Sequence, residues 1–274
     1  MSNVNAQRLA IFFLHRRSCN LTMLDISRNS GRRRDGSAMS IGVKAKFDSQ
    51  ALRTSGKVAM RAALLWLMGL IATVVLVAVC YRWLDRPIAL LMHSEGRIPH
   101  HGLWTWLTRI PNPLPPLALV AFVIFGLLAL TGRSLSKFQS ASLVGSLSVI
   151  IAEVTKNQLK VLFGRAWPET WAGSNPSFIR DGVYGFHFLH GGGAYNSFPS
   201  GHMATACAVL TVLWFSYPRW RWLYSVSGLA VGAGLVVANY HFLSDVIAGA
   251  FLGGSIGWLV TAVWRFSARS TEPL

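Results

Sequence analysis

Two short histidine-containing stretches carry residue types that suit chemistry on a bound anion. The first is Phe198-Pro199-Ser200-Gly201-His202, where a long polar, glycine-rich loop ends and an apolar segment begins. Pro199 fits at a helix start, Ser200 is a natural N-cap, and Gly201 allows a ligand to approach the backbone closely. A helix that begins here directs free N–H groups and its positive dipole end into the loop, which predicts an anion site beside His202. The alternative is an ordinary capped helix with an incidental histidine.

The second stretch contains His241 and Asp245, which are four residues apart and so lie within one helical turn of each other. A carboxylate that binds one ring nitrogen fixes the tautomer and leaves the lone pair of the other nitrogen available as a nucleophile. His202 could then protonate a leaving oxygen, while Lys160 and Arg165 stabilise the charge of a transferred phosphoryl group. This arrangement needs no metal ion. The alternative is that His241 and Asp245 only cap a helix.

The elements that must position these residues are apolar helices. The chain has 274 residues, of which 52% are hydrophobic and only 13% are charged, and this profile is typical of membrane proteins. Several apolar stretches approach the roughly 20 residues that span a bilayer. We therefore predict an all-α fold, a bundle of six transmembrane helices with a long non-cytoplasmic loop, residues 164–198, between the third and the fourth. The predicted spans are residues 62–81, 117–130, 140–162, 203–215, 222–240 and 246–264.

The formal net charge of +16 would suggest a nucleic-acid partner in a soluble protein. Here the basic residues lie in the N-terminal segment and in short loops, so membrane topology explains them better and no nucleic-acid partner is expected. With a cytoplasmic N-terminus, the short basic loops fall inside, and the 164–198 loop, Ser200 and His241 emerge on the opposite face. The basic residues of these loops are Arg133, Lys137, Arg219, Arg221, Arg265 and Arg269.

The chain divides into two predicted regions. Residues 1–58 form a basic, disordered cytoplasmic tail, and residues 59–270 form the membrane domain. Alternatively, translation starts at Met39 or Met60 and the tail is not made. Glycines at 249, 253 and 257 give two GxxxG spacings in the last span, which suit close helix packing.

Neither a disulfide framework nor a metal site is expected from the sequence. The cysteines number three, an odd count, and two of them lie in apolar segments. The adjacent pair His100-His101 points in two directions on any regular element and is a poor candidate for metal ligation. No Cys/His spacing resembles a zinc site.

With these motifs, the chain resembles the type-2 phosphatidic acid phosphatase superfamily of integral membrane lipid phosphatases, whose bacterial-type core has six helices. That family's second motif, Pro-Ser-Gly-His, is complete at Pro199-Ser200-Gly201-His202. Its third motif, Ser-Arg-x5-His-x3-Asp, keeps its end as His241-Phe242-Leu243-Ser244-Asp245. The resemblance covers about residues 59–265 and leaves the N-terminal tail unexplained.

The resemblance implies a role for each matching residue. His241 would be the nucleophile that forms a phosphohistidine, and Asp245 would orient it. His202 would be the general acid and later the base that activates water. The implied phosphate-binding residues are Lys160, Ser200 and Gly201.

The chain departs from the family at two motif positions. Counting from Lys160, the arginine of the first motif, Lys-x6-Arg-Pro, falls on Trp167, and the Ser-Arg of the third motif falls on Gly234-Leu235. Losing one preorganised transition-state donor typically costs about 10²–10³ in rate. We therefore expect Arg165, two residues before Trp167, to reach into the site in substitution. Further candidates are Arg180, His187 and His190.

The resemblance implies a metal-independent, cofactor-free phosphatase that acts on a lipid phosphate or diphosphate at the outer face of the cytoplasmic (inner) membrane. Candidate substrates are a polyprenyl diphosphate, phosphatidylglycerol phosphate, phosphatidate and a lipid A phosphate. The alternatives are phosphoryl transfer to another lipid through the same intermediate, and a non-catalytic lipid-binding member of the fold. A small transporter is disfavoured because the charges lie at helix ends and not within the spans.

Overall fold

The computed structural model describes residues 49–94, 102–170, 174–190 and 192–269. Residues 57–267 form one compact unit. The second unit comprises residues 1–56 and 268–274, of which the structure describes only helical ends. The predicted tail up to residue 48 and the pair His100-His101 lie outside the described residues.

All regular elements of the described residues are helices, and these residues form no strand, only three isolated β-bridges within the 164–198 loop. The prediction of an all-α fold is confirmed. The helices are α1 Ser49–Val79, α2 Asp85–Ser94, α3 Leu103–Arg109, α4 Leu114–Leu130, α5 Lys137–Phe163, α6 Phe178–Asp181, α7 Gly201–Ser216, α8 Arg221–Val237 and α9 Leu243–Arg269.

Each of the six predicted spans overlaps one of these helices, although the fifth, residues 222–240, extends three residues past the end of α8. By length and composition, four continuous helical segments of the described chain are able to cross a membrane. The shorter helix α7 is apolar but has only 16 residues, and α8 has 17. The count of six spans therefore stays a prediction. The four segments are Gly56–Ser94, Leu103–Leu130, Lys137–Phe163 and Leu243–Ser267.

The first helical segment is longer than the sequence predicts at both ends. Helix α1 begins at Ser49, inside the predicted tail, and a π-helical turn, Cys80–Leu84, joins it to α2. This turn brings Asp85, the first residue of α2, into the protein interior, where its side chain is fully buried. A residue expected in a connecting segment therefore lies in the core.

Helix α5 has well-defined ends that determine where the long loop starts. A capping box begins it, because Ser136 and Gln139 each accept a hydrogen bond from the backbone N–H of the other. Gly164 ends it with φ of +52°, and a Cβ at this position would lie 1.9 Å from the backbone oxygen of His187. Only glycine satisfies both conditions, so the chain turns sharply here and carries Arg165 into the interior.

The helices pack as a bundle around α7. Helix α4 packs on α5, α5 on α7, α7 on α8, and α3 on α8. Small apolar and branched side chains fill the space between α7, α8 and α9. This core cluster contains Met203, Ala206, Val231, Leu235 and Val246.

Helix α9 lies against the backbone of α7 along its predicted glycine stripe. A Cβ on Gly249 would lie 2.5 Å from the backbone oxygen of Ser200, and one on Gly253 would lie 2.0 Å from that of Ala204. The close packing that the GxxxG spacing predicts is therefore present, and it sets the start of α7 beside the start of α9.

This contact generates a test with a matched control. Gly253→Ala should lower the melting temperature in detergent, because overpacking costs about 1–3 kcal/mol. Gly126→Ala in α4 should be neutral or stabilising, since nothing lies within 4 Å of its Cβ and alanine favours a helix by up to about 1 kcal/mol over glycine. Equal melting temperatures for the two variants would contradict the close α7–α9 packing.

Candidate active site

An open cavity of about 200 Å³ lies where the end of α5, the start of α7 and the turn before α9 meet. Four of the seven predicted site residues line it. The other three, Arg165, Ser200 and Asp245, lie in the wall behind this lining and are buried. The lining comprises Pro111, Asn112, Pro115, Glu153, Lys156, Lys160, Trp167, Gly201, His202, Thr205 and His241.

The two predicted catalytic histidines face the same cavity. The ring of His202, in the first turn of α7, has its centroid 6.2 Å from that of His241, which lies in the turn between α8 and α9. Nε2 of His202 is 2.9 Å from Oδ1 of Asn112, a contact that orients the ring. The separation leaves room for a phosphate-sized group to contact both rings.

A serine that was not predicted from the sequence, Ser197, links His241 to Asp245. Nδ1 of His241 is 3.7 Å from Oδ2 of Asp245, which is too long for a direct hydrogen bond. The hydroxyl of Ser197 lies between them, donates to Oδ2 of Asp245 at 2.6 Å, and is 3.3 Å from Nδ1 of His241. Because the hydroxyl proton goes to Asp245, the oxygen is left to accept from Nδ1–H. Nε2 of His241 then keeps its lone pair.

His241 is buried, and this environment favours the neutral ring. Burial lowers the pKa of His241 below its ordinary value, and the nearby negative charge of Asp245 offsets only part of this effect. A neutral imidazole with a free Nε2 lone pair is the form that a nucleophile requires.

Asp245 is held by several hydrogen bonds, as a buried carboxylate must be. Its Oδ1 accepts from Arg165, and its Oδ2 accepts from Ser197 and from the backbone N–H of Phe242. Helix α9 begins at Leu243, so Asp245 also lies in the positive first turn of that helix. The carboxylate is therefore ionised and fixed.

Arg165 joins Asp245 to Asp85 and does not line the cavity. Its side chain is 0% exposed; Nη1 donates to Asp245 and to Oγ of Ser244, and Nη2 donates to Asp85 at 2.8 Å. Burial alone would lower the pKa of Arg165, but Asp245 and Asp85 outweigh it and raise the pKa. Because both terminal nitrogens of Arg165 donate to buried acceptors, these contacts do not favour the predicted contact between Arg165 and phosphate. Aromatic rings of Tyr81, Tyr184, Phe186 and Phe242 surround the guanidinium at 4.3–5.4 Å.

Three further predicted residues lie at the start of α7 or beside it. Ser200 is the N-cap, and its Oγ accepts from the backbone N–H of Met203, so its buried side chain serves the helix. Gly201 is the first helical residue and lines the cavity. Lys160 reaches the same cavity from α5, with Nζ 6.0 Å from the ring of Trp167.

The two motif positions that lack arginine have different surroundings. Trp167 lines the cavity, its ring centroid 5.1 Å from that of His241 and its indole N–H bonded to the backbone oxygen of Gly193. Leu235 is fully buried in the apolar core cluster. Neither position supplies a cation to the cavity.

The alternative cations of the loop lie elsewhere. Arg180 pairs with Asp181 on the surface, and its side chain is 46% exposed. His187 and His190 pack against Tyr195. None of these three candidates lines the cavity. Among the side chains that the structure describes, no group of three metal-ligating residues could hold a metal ion.

Three residues of the site were not predicted from the sequence: Asp85, Ser197 and Asn112. A signal existed for Asp85, since an acidic residue at the end of an apolar span is costly unless it is paired. Ser197 lies just before the Phe198–His202 motif but carries no spacing signal. Asn112 is 90 residues from His202, so only the fold brings the two together.

Comparison with known proteins identifies one family and three relatives. The model of the PAP2 superfamily matches residues 141–269. Proteins named lipid A 1-phosphatase from Rhizobium etli and Rhizobium johnstonii are 31% and 30% identical over 137 residues, 49% of this chain. These alignments cover 56% and 53% of the relatives, so the chain spans about half of their length. A lipid A 1-phosphatase from Porphyromonas gingivalis is 38% identical over 96 residues, 32% of this chain and 22% of that protein.

One solved structure is also similar. It is the crystal structure described as the first transmembrane PAP2 type phosphatidylglycerolphosphate phosphatase from Bacillus subtilis. The similarity has a TM-score of 0.42 at 19% sequence identity and covers 73% of this chain and 96% of that one.

The buried position of Arg165 leads to a prediction with a matched control. Arg165→Ala leaves two buried carboxylates without their cation, which should cost about 3–5 kcal/mol of stability. Arg180→Ala removes an exposed ion pair with Asp181 and should cost far less stability. Melting temperatures of the two variants in detergent measure the difference. A smaller loss for Arg165→Ala than for Arg180→Ala would contradict the structure of this network.

Proposed function

Since the chain belongs to the PAP2 superfamily through residues 141–269, we propose that it is a membrane lipid phosphatase with His241 as its nucleophile. The observation that carries the proposal is the placement of two imidazole rings 6.2 Å apart on one cavity. The ring of His241 is buried and linked through Ser197 to the carboxylate of Asp245, and the ring of His202 lies at the N-terminus of α7. This combination suits nucleophilic attack on phosphorus with acid assistance.

The first half-reaction transfers the phosphoryl group to the enzyme. The lone pair on Nε2 of His241 forms a bond to phosphorus while the bond from phosphorus to the lipid oxygen breaks. That oxygen takes a proton from the imidazolium of His202 and leaves as an alcohol, or as a lipid monophosphate where the substrate is a diphosphate. Nδ1–H of His241 stays bonded to Ser197, and Asp245 stabilises the ring as it gains positive charge.

The second half-reaction returns the enzyme to its starting state. Neutral His202 takes a proton from water, and the water oxygen forms a bond to phosphorus. The bond between phosphorus and Nε2 of His241 breaks, and its electron pair returns to the ring. Inorganic phosphate leaves and His202 is again an imidazolium. Neither half-reaction needs a metal ion, so the proposed activity is metal-independent.

Positive groups around the cavity stabilise the phosphoryl oxygens. Lys160 and the N-terminal N–H groups of α7 at Gly201 face the position that the anion would occupy. Arg165 acts through Asp245 and not on the phosphate, because both of its terminal nitrogens are bonded to buried acceptors. We therefore assign Arg165 as a positioning residue.

A lipid substrate fits the surroundings of the cavity. The protein is an integral membrane protein with four helical segments apolar and long enough to span a bilayer, and the cavity lies at the ends of α5 and α7. The relatives that match the chain are named lipid A 1-phosphatases. We propose a lipid A phosphate as the first substrate to test, beside phosphatidylglycerol phosphate, phosphatidate and a polyprenyl diphosphate.

The distribution of basic residues supports an orientation with the cavity at the outer face of the cytoplasmic membrane. Nζ of Lys137 lies 4.9 Å from the ring centroid of Tyr217, and Arg265 donates to the backbone oxygen of Phe215. Both cations therefore gather at the end of α7 that is opposite to the cavity. The 16 residues of α7 separate the two ends by about 24 Å. Short basic loops favour the cytoplasmic side.

Two other functions share these features. A phosphotransferase would pass the same phosphohistidine to a lipid acceptor, and a non-catalytic lipid-binding protein would use only the cavity. The second alternative has a specific observation in its favour, because Trp167 and Leu235 stand where the family has arginines. The intact pairing of His241 with Ser197 and Asp245 opposes it.

The catalytic proposal is tested with purified full-length protein in detergent and the four lipid phosphates, in the presence of EDTA. We expect phosphate release from at least one lipid. His241→Ala should lower the rate by at least about 10³ because the nucleophile is gone, and Asp245→Asn should lower it strongly through the wrong ring tautomer. His190→Ala, which removes an exposed histidine outside the cavity, is the matched control and should keep the wild-type rate.

The outcomes separate the three functions. Wild-type activity in His241→Ala would refute the assignment of the nucleophile. Phosphate that appears on an acceptor lipid and not in solution would indicate the phosphotransferase. Substrate binding without turnover of any lipid would indicate the non-catalytic protein.

The proposed orientation is tested by cysteine labelling in a variant whose three native cysteines are replaced. Leu189→Cys lies in the loop beside the cavity, and Ser134→Cys lies in the basic loop between α4 and α5; both positions are exposed. A membrane-impermeant maleimide should label Leu189→Cys in spheroplasts and should label Ser134→Cys only after lysis. The reverse pattern would mean that the cavity faces the cytoplasm.

A further inference from the structure

The cavity lacks the arginines that its family motifs would supply, yet its proposed ligand is a dianion. At the first motif position Trp167 presents an aromatic face, and its only polar group is bonded to Gly193. At the other position Leu235 is part of the apolar core. The positive charge for phosphate binding must therefore come from other side chains of the lining.

Two lysines of α5 line the cavity one helical turn apart. Lys160 is the family's motif lysine, whereas Lys156 belongs to no motif. The side chain of Lys156 lies directly on Gly201, because a Cβ added to that glycine would be 3.0 Å from Nζ. An anion held by the first N–H groups of α7 would therefore also contact Lys156.

Lys156 is held in this position by an acid. Its Nζ is 2.7 Å from Oε1 of Glu153, and the same oxygen accepts from the hydroxyl of Thr205 at 2.6 Å. The Lys156 side chain is only 14% exposed, so the contact is not a free surface ion pair. Among the residues that line the cavity in the described chain, Glu153 is the one acid.

We propose that Lys156 is a second phosphate-binding residue of the substrate site and that Glu153 positions it and moderates the affinity for the anion. The inference rests on the proposed phosphatase function. When the cavity is empty, Glu153 neutralises Lys156. When a phosphate group binds, Lys156 contacts it as a point charge, while Glu153 repels it and favours release of the product.

The proposal predicts opposite effects for the two members of the pair. Inorganic phosphate is titrated calorimetrically into the purified full-length protein in detergent, so the readout does not depend on turnover. Lys156→Gln should weaken phosphate binding by about tenfold to a hundredfold, as expected for the loss of a charged hydrogen bond. Glu153→Gln should tighten it by at least about threefold, because the amide can still accept from Thr205 but carries no charge.

Two controls keep the result interpretable. Lys137→Gln changes a lysine at the far end of the same helix, beside Tyr217, and should leave phosphate affinity unchanged. Lys156→Arg retains the charge and should bind phosphate within about threefold of wild type, which keeps the test decisive if Lys156→Gln does not fold.

The outcomes distinguish this inference from the proposed function. An active wild-type enzyme whose Lys156→Gln variant binds phosphate normally would refute the role of Lys156 and leave the phosphatase assignment intact. Weaker binding in Glu153→Gln would refute its moderating role. A wild-type protein that neither binds phosphate nor hydrolyses any lipid would refute the proposed function itself.

Discussion

The arrangement of the site depends on one buried ionic network, in which Arg165 lies between Asp85 and Asp245. All three side chains are fully buried. Asp85 comes from the start of α2, Arg165 from the start of the long loop, and Asp245 from the first turn of α9. Ser244 completes the network, since its backbone N–H and its hydroxyl both donate to Asp85. Three distant parts of the chain are thus fixed relative to one another.

A network of this kind adds little net stability, because desolvation offsets the Coulomb attraction. Its effect is to exclude other arrangements, since any packing that separates Arg165 from either carboxylate leaves an unpaired buried charge. The backbone of Arg165 extends this constraint to the loop, because it bonds Tyr195 and Ser197. Ser197 is thereby placed between His241 and Asp245, and the network sets the geometry around His241.

The sequence points to the candidate catalytic groups but not to the residues that hold them in place. His202, His241 and Asp245 could be proposed as site residues because the argument for them depends on local spacing and on helix starts, and the helical segments could be predicted from hydropathy. Arg165 was expected to reach the phosphate, but it lies buried behind the cavity lining, and its contacts could not be predicted. Its partner Asp85 is 80 residues away and enters the core only through a π-helical turn that has no sequence signal.

Two helix starts lie together at the candidate site. The close contacts along the glycine stripe of α9 fix the position of this helix along α7. The backbone N–H of Ser200 also donates to the carbonyl of Asp245 at 3.0 Å. The positive ends of both helices therefore lie together, yet they act on different anions. The start of α9 stabilises the protein's own carboxylate, Asp245, whereas the start of α7 faces the cavity and remains available to a substrate. Because the fold itself supplies this fixed positive potential, the phosphate site that we propose needs only lysines in place of the motif arginines.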